Sequence, residues 1–525
     1  MYLGKDFSTY LRENNEVGFV ETMNSSLVGI SGLPQVFIGE VVMFSDSSLG
    51  LVMSLGESLV RVLLLEKDRD LRIGVKVART KLPFQVYVSD SSLGGVFDSA
   101  GKPLFKGDAS SDPRSALTAG STFSASSSPP IPTSGNCASE ESRSLMHVFK
   151  AAPDFMDHEK ISAPLITGVS IVDLMVPLGK GQRELVLGDK KSGKTEFLKQ
   201  TMASQVREGS ICIYAGIGKN REAILDVLNF SKKAHLGKSF ILIGSSSSDS
   251  PGKVYLTPYT AMAFAEYFRD KGRDVLLVLD DMSSHAKYYR ELSLIGGSFP
   301  GRESYPGDMF FAHSGLFERA GNFKVGDVAN SITCLPVAET VEGDISGYIQ
   351  TNLMSMTDGH IFFDSSMFDQ GKRPAVNTFL SVTRVGRQVQ SMLHQSLHRE
   401  LSGFLSLLRK HERFVHFGAE LSEGIRESLE TGKKVTAFFN QPPQRIYPLN
   451  VQYFLFALVW GGLLAEKQTA NFEFLAKKLS DMYEKDSDFR QYVDKLIGES
   501  PDFNALLSNV TGKSDTIKDL IGINI

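Results

Sequence analysis

This chain of 525 residues has few of the residues that mark a secreted, zinc-bound or strongly cationic protein. Its three cysteines, Cys137, Cys212 and Cys334, are too few and too far apart for a disulfide framework or a zinc site. Such sparse cysteine indicates a reducing compartment. The net charge of -4 at pH 7 gives no electrostatic reason for binding nucleic acid or an anionic membrane surface. We therefore expect no nucleic-acid partner.

The chain also lacks a long apolar run. The longest, YFLFALVWGGLLA at 453–465, is shorter than the roughly 20 residues that cross a bilayer, and it predicts a buried helix. The opening MYLGKDFSTYLRENNEVG has neither the apolar core of a signal peptide nor the acid-poor composition of a transit peptide. With 42% hydrophobic and 22% charged residues, the composition is typical of a soluble protein of two to four domains.

The pattern along the chain predicts a multidomain protein. Residues 1–98 contain short Val-, Leu- and Ile-rich runs separated by turn residues, which predicts an N-terminal β-barrel domain. Residues 99–150 form a Ser/Ala/Pro-rich flexible insertion, most biased at 110–144. Residues 151–386 alternate apolar strand-like runs with helical patterns, which predicts a mostly parallel α/β domain. Residues 387–525 read as a C-terminal helical domain.

A phosphate-binding loop lies in the α/β region. GDKKSGKT fits G-x-x-x-x-G-K-[ST] in full, between the strand-like RELVLG and the helical TEFLKQTMASQV. Backbone N–H groups of such a loop converge on phosphate oxygens at the positive end of the helix. Lys194 is expected to reach the terminal phosphates and the Thr195 hydroxyl to bind Mg²⁺. The predicted nucleotide ligands are Gly188, Asp189, Lys190, Lys191, Ser192, Gly193, Lys194 and Thr195.

An acidic pair follows a second apolar run. DVLLVLDD places Asp280 and Asp281 at the end of a predicted strand, where P-loop proteins hold the water shell of Mg²⁺. Asp280 is the predicted magnesium-side carboxylate, and Asp281 is a candidate helix cap. Thr195 and Asp280 are thus the predicted metal residues.

Four segments of the chain, one of which contains the phosphate-binding loop, carry a resemblance to a known protein family. PLITGVSIVDLMVPLGKGQRELVLGDKKSGKT, FPGRESYPGDMFFAHSGLFERA, LPVAETVEGDISGYIQTNLMSMTDGHIFF and GKRPAVNTFLSVTRVG resemble the α subunit of F-type ATP synthases, over about residues 25–465. The resemblance implies a β-barrel, a RecA-like nucleotide-binding domain and a helical bundle. It also implies a divergent bacterial member, peripheral to the cytoplasmic face of the inner membrane. Its implied partners are the β subunit in an alternating ring, the central γ subunit and the peripheral stalk.

Lys219 decides whether this chain turns over its own nucleotide. The resemblance places it, in IYAGIGKNREA, where catalytic β subunits carry a water-activating glutamate and α subunits a glutamine. A lysine with a pKa of about 10.4 is already protonated near neutrality and is no general base. Glu222, one helical turn on, would have to point back toward the phosphate. We interpret the chain as non-catalytic and inactive alone. Lys219 itself is either a solvated lysine or a fixed charge that helps to hold ATP.

The resemblance also assigns residues outside the P-loop. Arg384, in SVTRVG, matches the residue that α subunits project into the neighbouring β site as an arginine finger, where it stabilises charge on the transferring phosphoryl group. Phe368, Arg373 and Pro374 match residues that flank the adenine, and Gln441 and Gln444 resemble two glutamines that close that pocket. The expected ligands are ATP or ADP, with Mg²⁺.

Two other functions compete with this interpretation. A self-sufficient hexameric motor of the export or transcription-termination type needs its own catalytic glutamate, which Lys219 replaces. A ring scaffold used outside ATP synthesis is the second alternative. Residues 296–298 and Gly315 depart from the family pattern at positions that face the rotor or β, and the segment before GFVETM is short for stalk attachment. The coupling ion and the physiological direction of the reaction stay open.

Overall fold

The computed structural model describes residues 5–24, 26–65, 71–105, 144–297, 299–326, 328–416, 423–464 and 472–521. Cys137, Ser298 and residues 110–143 of the predicted insertion lie outside these ranges. The chain forms two compact units. The first unit comprises residues 1–159, 209–339 and 345–357, and the second comprises 160–208, 340–344 and 358–525.

The first unit begins with a closed six-stranded barrel. Its antiparallel strands are Val17–Asn24, Leu27–Ser31, Glu40–Phe44, Leu49–Leu55, Val60–Leu64 and Lys76–Pro83, and a helix, Phe7–Asn14, precedes them. The first strand pairs with the second and with the sixth, which closes the barrel. Alternate residues such as Val28, Ile30, Val42, Phe44 and Val62 fill the interior. Burial of this apolar surface is the main stabilising contribution here.

A mostly parallel sheet follows in the same unit. Its parallel strands, in spatial order, are Val328–Glu339, Val275–Asp280, Ile211–Lys219, Phe240–Ser246 and Val96–Phe97. Gly321–Val325 and Pro103–Phe105 add antiparallel pairs, and Gln85–Val88 pairs separately with Ser144–His147. The helices of this unit are Arg221–Lys233, Pro251–Asp270, Met282–Ile295, Met309–Phe317 and Tyr348–Met356. The continuous apolar runs are thus strands that are buried on both faces.

The second unit contains the strand that leads into the P-loop. Glu184–Gly188 pairs in parallel with Gly359–Phe363, which pairs antiparallel with Val382–Thr383. Pro164–Leu165 pairs with Leu178–Gly179. Three helices accompany these strands: Ser170–Met175, Lys194–Arg207 and Ser365–Asp369.

The described residues of the second unit after residue 391 are mostly helical. Its helices are Met392–His416, Glu423–Phe439, Leu449–Trp460, Phe472–Lys485, Ser487–Gly498, Phe503–Gly512 and Ser514–Ile521. Leu393, Leu397, Leu401 and Leu408 are buried on one face of the first of these helices, as their spacing predicts. The apolar run near residue 453 is a buried helix. Within the described ranges, no helix is both long and apolar enough to cross a membrane. The predicted fold class of barrel, α/β domain and helical region is confirmed.

Candidate nucleotide site

The P-loop has the strand–loop–helix context that its sequence predicts. It follows the strand Glu184–Gly188 and ends at the helix Lys194–Arg207, whose N-cap is Gly193. Gly188 has φ +153°, and a Cβ there would lie 2.4 Å from the carbonyl oxygen of Phe363. Gly193 has φ +98°. Both glycines are therefore required by the backbone, because side chains are strained in this conformation.

Lys194 is held inside the loop. Its ammonium donates hydrogen bonds of 2.6 Å to the carbonyl oxygens of Gly188 and Asp189, and the residue is 8% exposed. The Ser192 hydroxyl donates to the same carbonyl of Asp189, at 2.8 Å. Thr195 is partly exposed in the first turn of the following helix. The loop thus presents a cation and a helix N-terminus together, which is the arrangement that binds phosphate.

The side chain of Asp189 anchors the loop. Its Oδ1 accepts hydrogen bonds from the Thr340 hydroxyl at 2.6 Å and from the Gly343 N–H at 3.0 Å. Its Oδ2 accepts from the Ser365 hydroxyl at 2.9 Å. Partial burial opposes ionisation, but these donors outweigh it and lower the pKa of Asp189. Sequence reasoning placed Asp189 among the nucleotide ligands by motif position alone, and the structure gives its carboxylate this anchoring role. Lys190 and Lys191 are both exposed.

Residues predicted to flank the adenine lie beside the loop. The ring of Phe368 lies 3.6 Å from where a Cβ of Gly193 would be. The guanidinium of Arg373 stacks 3.4 Å from the centre of that ring and donates a hydrogen bond to the Phe368 carbonyl. Pro374 follows Arg373, and the carbonyl of Arg373 accepts from the Gln441 N–H at 2.6 Å. The structure therefore brings these four residues together.

The two predicted glutamines differ in environment. Gln441 is 2% exposed, and among the described residues its side-chain amide forms hydrogen bonds with backbone groups. It accepts from the Ser170 N–H and donates to the carbonyls of Gly168 and Arg445. Gln444 is exposed, with φ +65°. Sequence reasoning missed Gln200, whose amide donates to the carbonyls of Pro442 and Arg445. The sequence placed Gln200 in the second turn of the helix that follows the P-loop, and this position could have identified it as a candidate.

Lys219 forms an ion pair with Asp280. The distance from Lys219 Nζ to Asp280 Oδ1 is 2.6 Å, and the two side chains are 22% and 3% exposed. The other carboxylate oxygen, Oδ2, accepts a 2.7 Å hydrogen bond from the Tyr214 hydroxyl. Burial opposes the charge on Lys219, but nearby Asp280, Asp281 and Glu339 raise its pKa overall. Lys219 is therefore protonated and mostly buried, and it is not a solvated surface residue.

Asp281 caps the helix Met282–Ile295. Its Oδ1 accepts a 2.7 Å hydrogen bond from the Ser283 N–H, and its Oδ2 accepts from the Ser284 hydroxyl at 3.1 Å. Burial raises its pKa. The predicted capping role of Asp281 agrees with this geometry. Each oxygen of Asp280, the predicted magnesium-side carboxylate, likewise has one partner among the described side chains, Lys219 at Oδ1 and Tyr214 at Oδ2. Glu222 is exposed in the first turn of the helix Arg221–Lys233.

Arg384 follows a short strand in the second unit and is exposed. Its N–H donates to the carbonyl of Asp358 at 3.2 Å. Glu184, near Arg384, is fully buried, and burial raises its pKa well above the usual value. The Gln182 amide donates to Glu184 Oε2 at 2.6 Å and to the Thr383 hydroxyl at 3.3 Å. The backbone next to Arg384 is thus tied to a buried polar network, while its side chain faces outward.

Comparisons with known proteins agree with this architecture. Residues 168–383 match the model of a family described as the ATP synthase alpha/beta family, nucleotide-binding domain. The matched span includes the P-loop, the Lys219–Asp280 pair and Thr383, and it ends one residue before Arg384. These features define the class as a P-loop nucleotide-binding protein of the ATP synthase type.

Three curated relatives narrow the class. ATP synthase subunit alpha of Carsonella ruddii (strain PV) is 34% identical over 440 residues, which cover 82% of this chain and 85% of the relative. The subunit alpha of Dictyoglomus turgidum (strain DSM 6724 / Z-1310) is 34% identical over 459 residues, with 87% and 84% covered. That of Rickettsia bellii (strain OSU 85-389) is 33% identical over 497 residues, with 92% and 90% covered. The chain belongs to the ATP synthase subunit alpha family.

Proposed function

We propose that this chain is the non-catalytic, nucleotide-binding subunit of a rotary ATP synthase. It holds ATP or ADP at residues 188–195, with the base beside Phe368 and Arg373. It works in a ring with catalytic β subunits around a γ subunit, peripheral to a membrane that other subunits cross. The relatives named ATP synthase subunit alpha support this assignment.

The observation that carries the proposal is the state of Lys219. A subunit that hydrolyses ATP needs a group that accepts a proton from the attacking water. At the position where the family resemblance places that group, the chain has a protonated ammonium paired with Asp280 at 2.6 Å. Loss of a general base typically lowers the rate by roughly 10²–10⁴-fold. The site therefore binds nucleotide without turning it over.

The exposed Arg384 supports the second half of the proposal. A guanidinium is always charged, and its planar donors match phosphoryl oxygens. In this subunit it serves the site of the neighbouring β subunit. An arginine supplied in trans raises phosphoryl-transfer rates by roughly 10³–10⁵-fold in related enzymes. A subunit that keeps this arginine and lacks the base contributes to catalysis only through its neighbour.

The purified full-length chain tests the proposal. Calorimetry should detect ATP binding by the wild-type chain. Lys194→Ala should abolish this binding, because the proposed site is the P-loop that contains Lys194. Phosphate release should stay at background until the β and γ subunits of the same organism are added. Steady hydrolysis by the chain alone would contradict the proposal, and so would failure to bind any adenine nucleotide.

A further inference from the structure

We propose that Glu184 is a positioning residue for Arg384. It acts through the side chain of Gln182, which holds Thr383, the residue before the arginine. This role rests on the proposed function, in which Arg384 serves the site of the neighbouring β subunit. All four residues belong to the second compact unit.

Three neighbouring strands place these residues in one row across the sheet. Glu184 pairs with Gly359 in the parallel ladder, and Gly359 pairs with Thr383 in the antiparallel one. A Cβ at Gly359 would be 2.7 Å from Glu184 Oε2 and closer still to the carbonyl oxygen of Val382. The absence of a side chain at Gly359 therefore leaves the space that the Glu184 carboxyl occupies.

The hydrogen bonds of Gln182 have fixed directions. Its Oε1 accepts from the Gly179 N–H at 2.8 Å, so its NH₂ group faces the other partners. This group donates to Glu184 Oε2 at 2.6 Å and to the Thr383 hydroxyl oxygen at 3.3 Å. The Thr383 hydroxyl proton is used in a 2.9 Å hydrogen bond to the Pro177 carbonyl. Both amide protons of the fully buried Gln182 thus have an acceptor.

Glu184 supplies one of these two acceptors. Without its carboxyl, one amide proton of Gln182 would be buried and unpaired, which is unfavourable. A rotation of the amide that relieved this would break its contact with Thr383. Glu184 therefore sets the orientation in which Gln182 holds Thr383.

The same stretch of chain also holds the backbone of Arg384. Arg183 lies between Gln182 and Glu184. Its guanidinium donates to both carboxylate oxygens of Asp358, at 3.1 and 2.9 Å. The carbonyl of Asp358 accepts from the Arg384 N–H at 3.2 Å. Three consecutive residues thus reach the segment that carries the arginine by two routes, and Glu184 controls one of them.

The surroundings of Glu184 favour a neutral carboxyl group. The residue is fully buried, and within the described part of the chain its Oε1 has no hydrogen-bond partner. Burial and the charge of Asp358 raise its pKa well above the usual value, although the Gln182 hydrogen bond and the charge of Arg384 act in the other direction. The neutral side chain of a Glu184→Gln variant can therefore accept the same hydrogen bond from Gln182.

Steady-state ATP hydrolysis by the chain reconstituted with β and γ subunits of the same organism tests the inference. Glu184→Ala should lower kcat by roughly tenfold or more, because a catalytic group misplaced by about 1 Å can cost roughly 10²-fold. Glu184→Gln should keep kcat within about twofold of the wild type. ATP binding to the isolated chain should stay within about threefold in both variants.

An Arg384→Ala background separates positioning from general support of the fold. In this background Glu184→Ala should lower the rate by less than about twofold more, because a residue that acts through the guanidinium has no effect once that group is removed. Thr383→Val removes the hydroxyl and nearly keeps the shape, and it should behave like Glu184→Ala in both backgrounds. Glu400→Ala, at an exposed glutamate of the same unit, is the matched control and should have no effect in either.

Three results would overturn the inference and leave the proposed function intact. They are full activity of Glu184→Ala, a tenfold or greater loss in Glu184→Gln, which would mean that a charge is needed, and a loss from Glu184→Ala that persists in the Arg384→Ala background. Full activity of Arg384→Ala itself would contradict the proposed function. If Glu184→Ala does not fold, Glu184→Gln and Thr383→Val still decide between these results.

Discussion

The hydroxyl of Thr383 donates a 2.9 Å hydrogen bond to the carbonyl oxygen of Pro177. Gly386 lies against the same carbonyl, so closely that a Cβ there would be 1.7 Å from its oxygen. Arg384 lies between these two fixed residues and is itself exposed. The backbone that presents the guanidinium is therefore held on both sides, which favours precise positioning of a charge toward a neighbouring molecule.

Removal of the Arg384 guanidinium should affect only the assembled enzyme. We expect Arg384→Ala to lower ATP hydrolysis by the chain reconstituted with β and γ subunits by roughly 10³-fold or more. Arg384→Lys should recover little, because an ammonium lacks the planar pair of donors. ATP binding to the isolated chain should not change.

The control is Arg387→Ala, at an exposed arginine three residues along the chain. Steady-state rates and binding isotherms of all three variants decide the matter. If Arg384→Ala and Arg387→Ala lower the rate equally, Arg384 has no special role in the partner's site.

A side chain at Gly386 should displace the turn. The nearest atom is a backbone carbonyl that cannot rotate away, so Gly386→Ala should lower the free energy of unfolding by about 1–3 kcal/mol. The reconstituted activity should fall with it, because Arg384 moves. Gly403→Ala is the control: nothing lies within 4 Å of its Cβ position inside a helix, and alanine should stabilise the chain by about 0.5–1 kcal/mol. Thermal denaturation that ranks the two variants the other way would refute this account of the turn.

The ring of Phe368 should bind the base and not the phosphates. Phe368→Ala removes the ring that lies beside Gly193 and supports Arg373. We expect ATP to bind more weakly by about 1–3 kcal/mol, the usual contribution of stacking between a base and an aromatic ring. Tripolyphosphate, which has no base, should bind the variant as it binds the wild type. Phe474→Ala, at a phenylalanine that is 71% exposed, is the control for both ligands. Equal losses for ATP and tripolyphosphate would mean that the ring shapes the loop and does not contact the base.

The anchoring of Asp189 should make part of the stability depend on pH. Because the pKa of Asp189 is lowered on folding, its contribution is fully present above its unfolded pKa of about 3.9 and is lost as pH falls through the folded value. Asp189→Ala should lower the free energy of unfolding by about 1–3 kcal/mol at pH 7, since three donors lose their acceptor. Urea titrations should give a constant difference from the wild type down to about pH 5 and a shrinking one below about pH 3.9. Asp369→Ala, at an exposed aspartate, should show no such difference, and a pH-independent loss in Asp189→Ala would exclude an ionised anchor.

The sequence predicted the structural elements that short, local residue patterns determine. The P-loop needs glycines at two positions because of backbone conformation, and both appear in the motif. Apolar runs such as 275–280 predicted buried strands, and the leucine spacing after residue 392 predicted a buried helix face. The family resemblance rested on continuous segments and is confirmed by the comparisons.

The sequence did not predict contacts between segments that lie far apart along the chain. The pairing of Gly216 with Asp280 across two parallel strands brings Lys219 to the carboxylate, and no local pattern encodes that register. The donors to Asp189 come from residues more than 150 positions along the chain. The same holds for Gln441, whose side-chain amide donates to the carbonyl of Gly168 and accepts from the N–H of Ser170. In each case the sequence indicated the residue type, but the partner depends on the tertiary structure.

The closure of the N-terminal barrel has a consequence for assembly. Because its first and sixth strands pair with each other, none of the six described barrel strands is an edge strand that could accept a strand from another protein. We expect a neighbouring subunit to contact this domain through side chains and turns. Its surface residues can therefore change along with those of a neighbour, while the hydrogen-bonded frame beneath them stays the same.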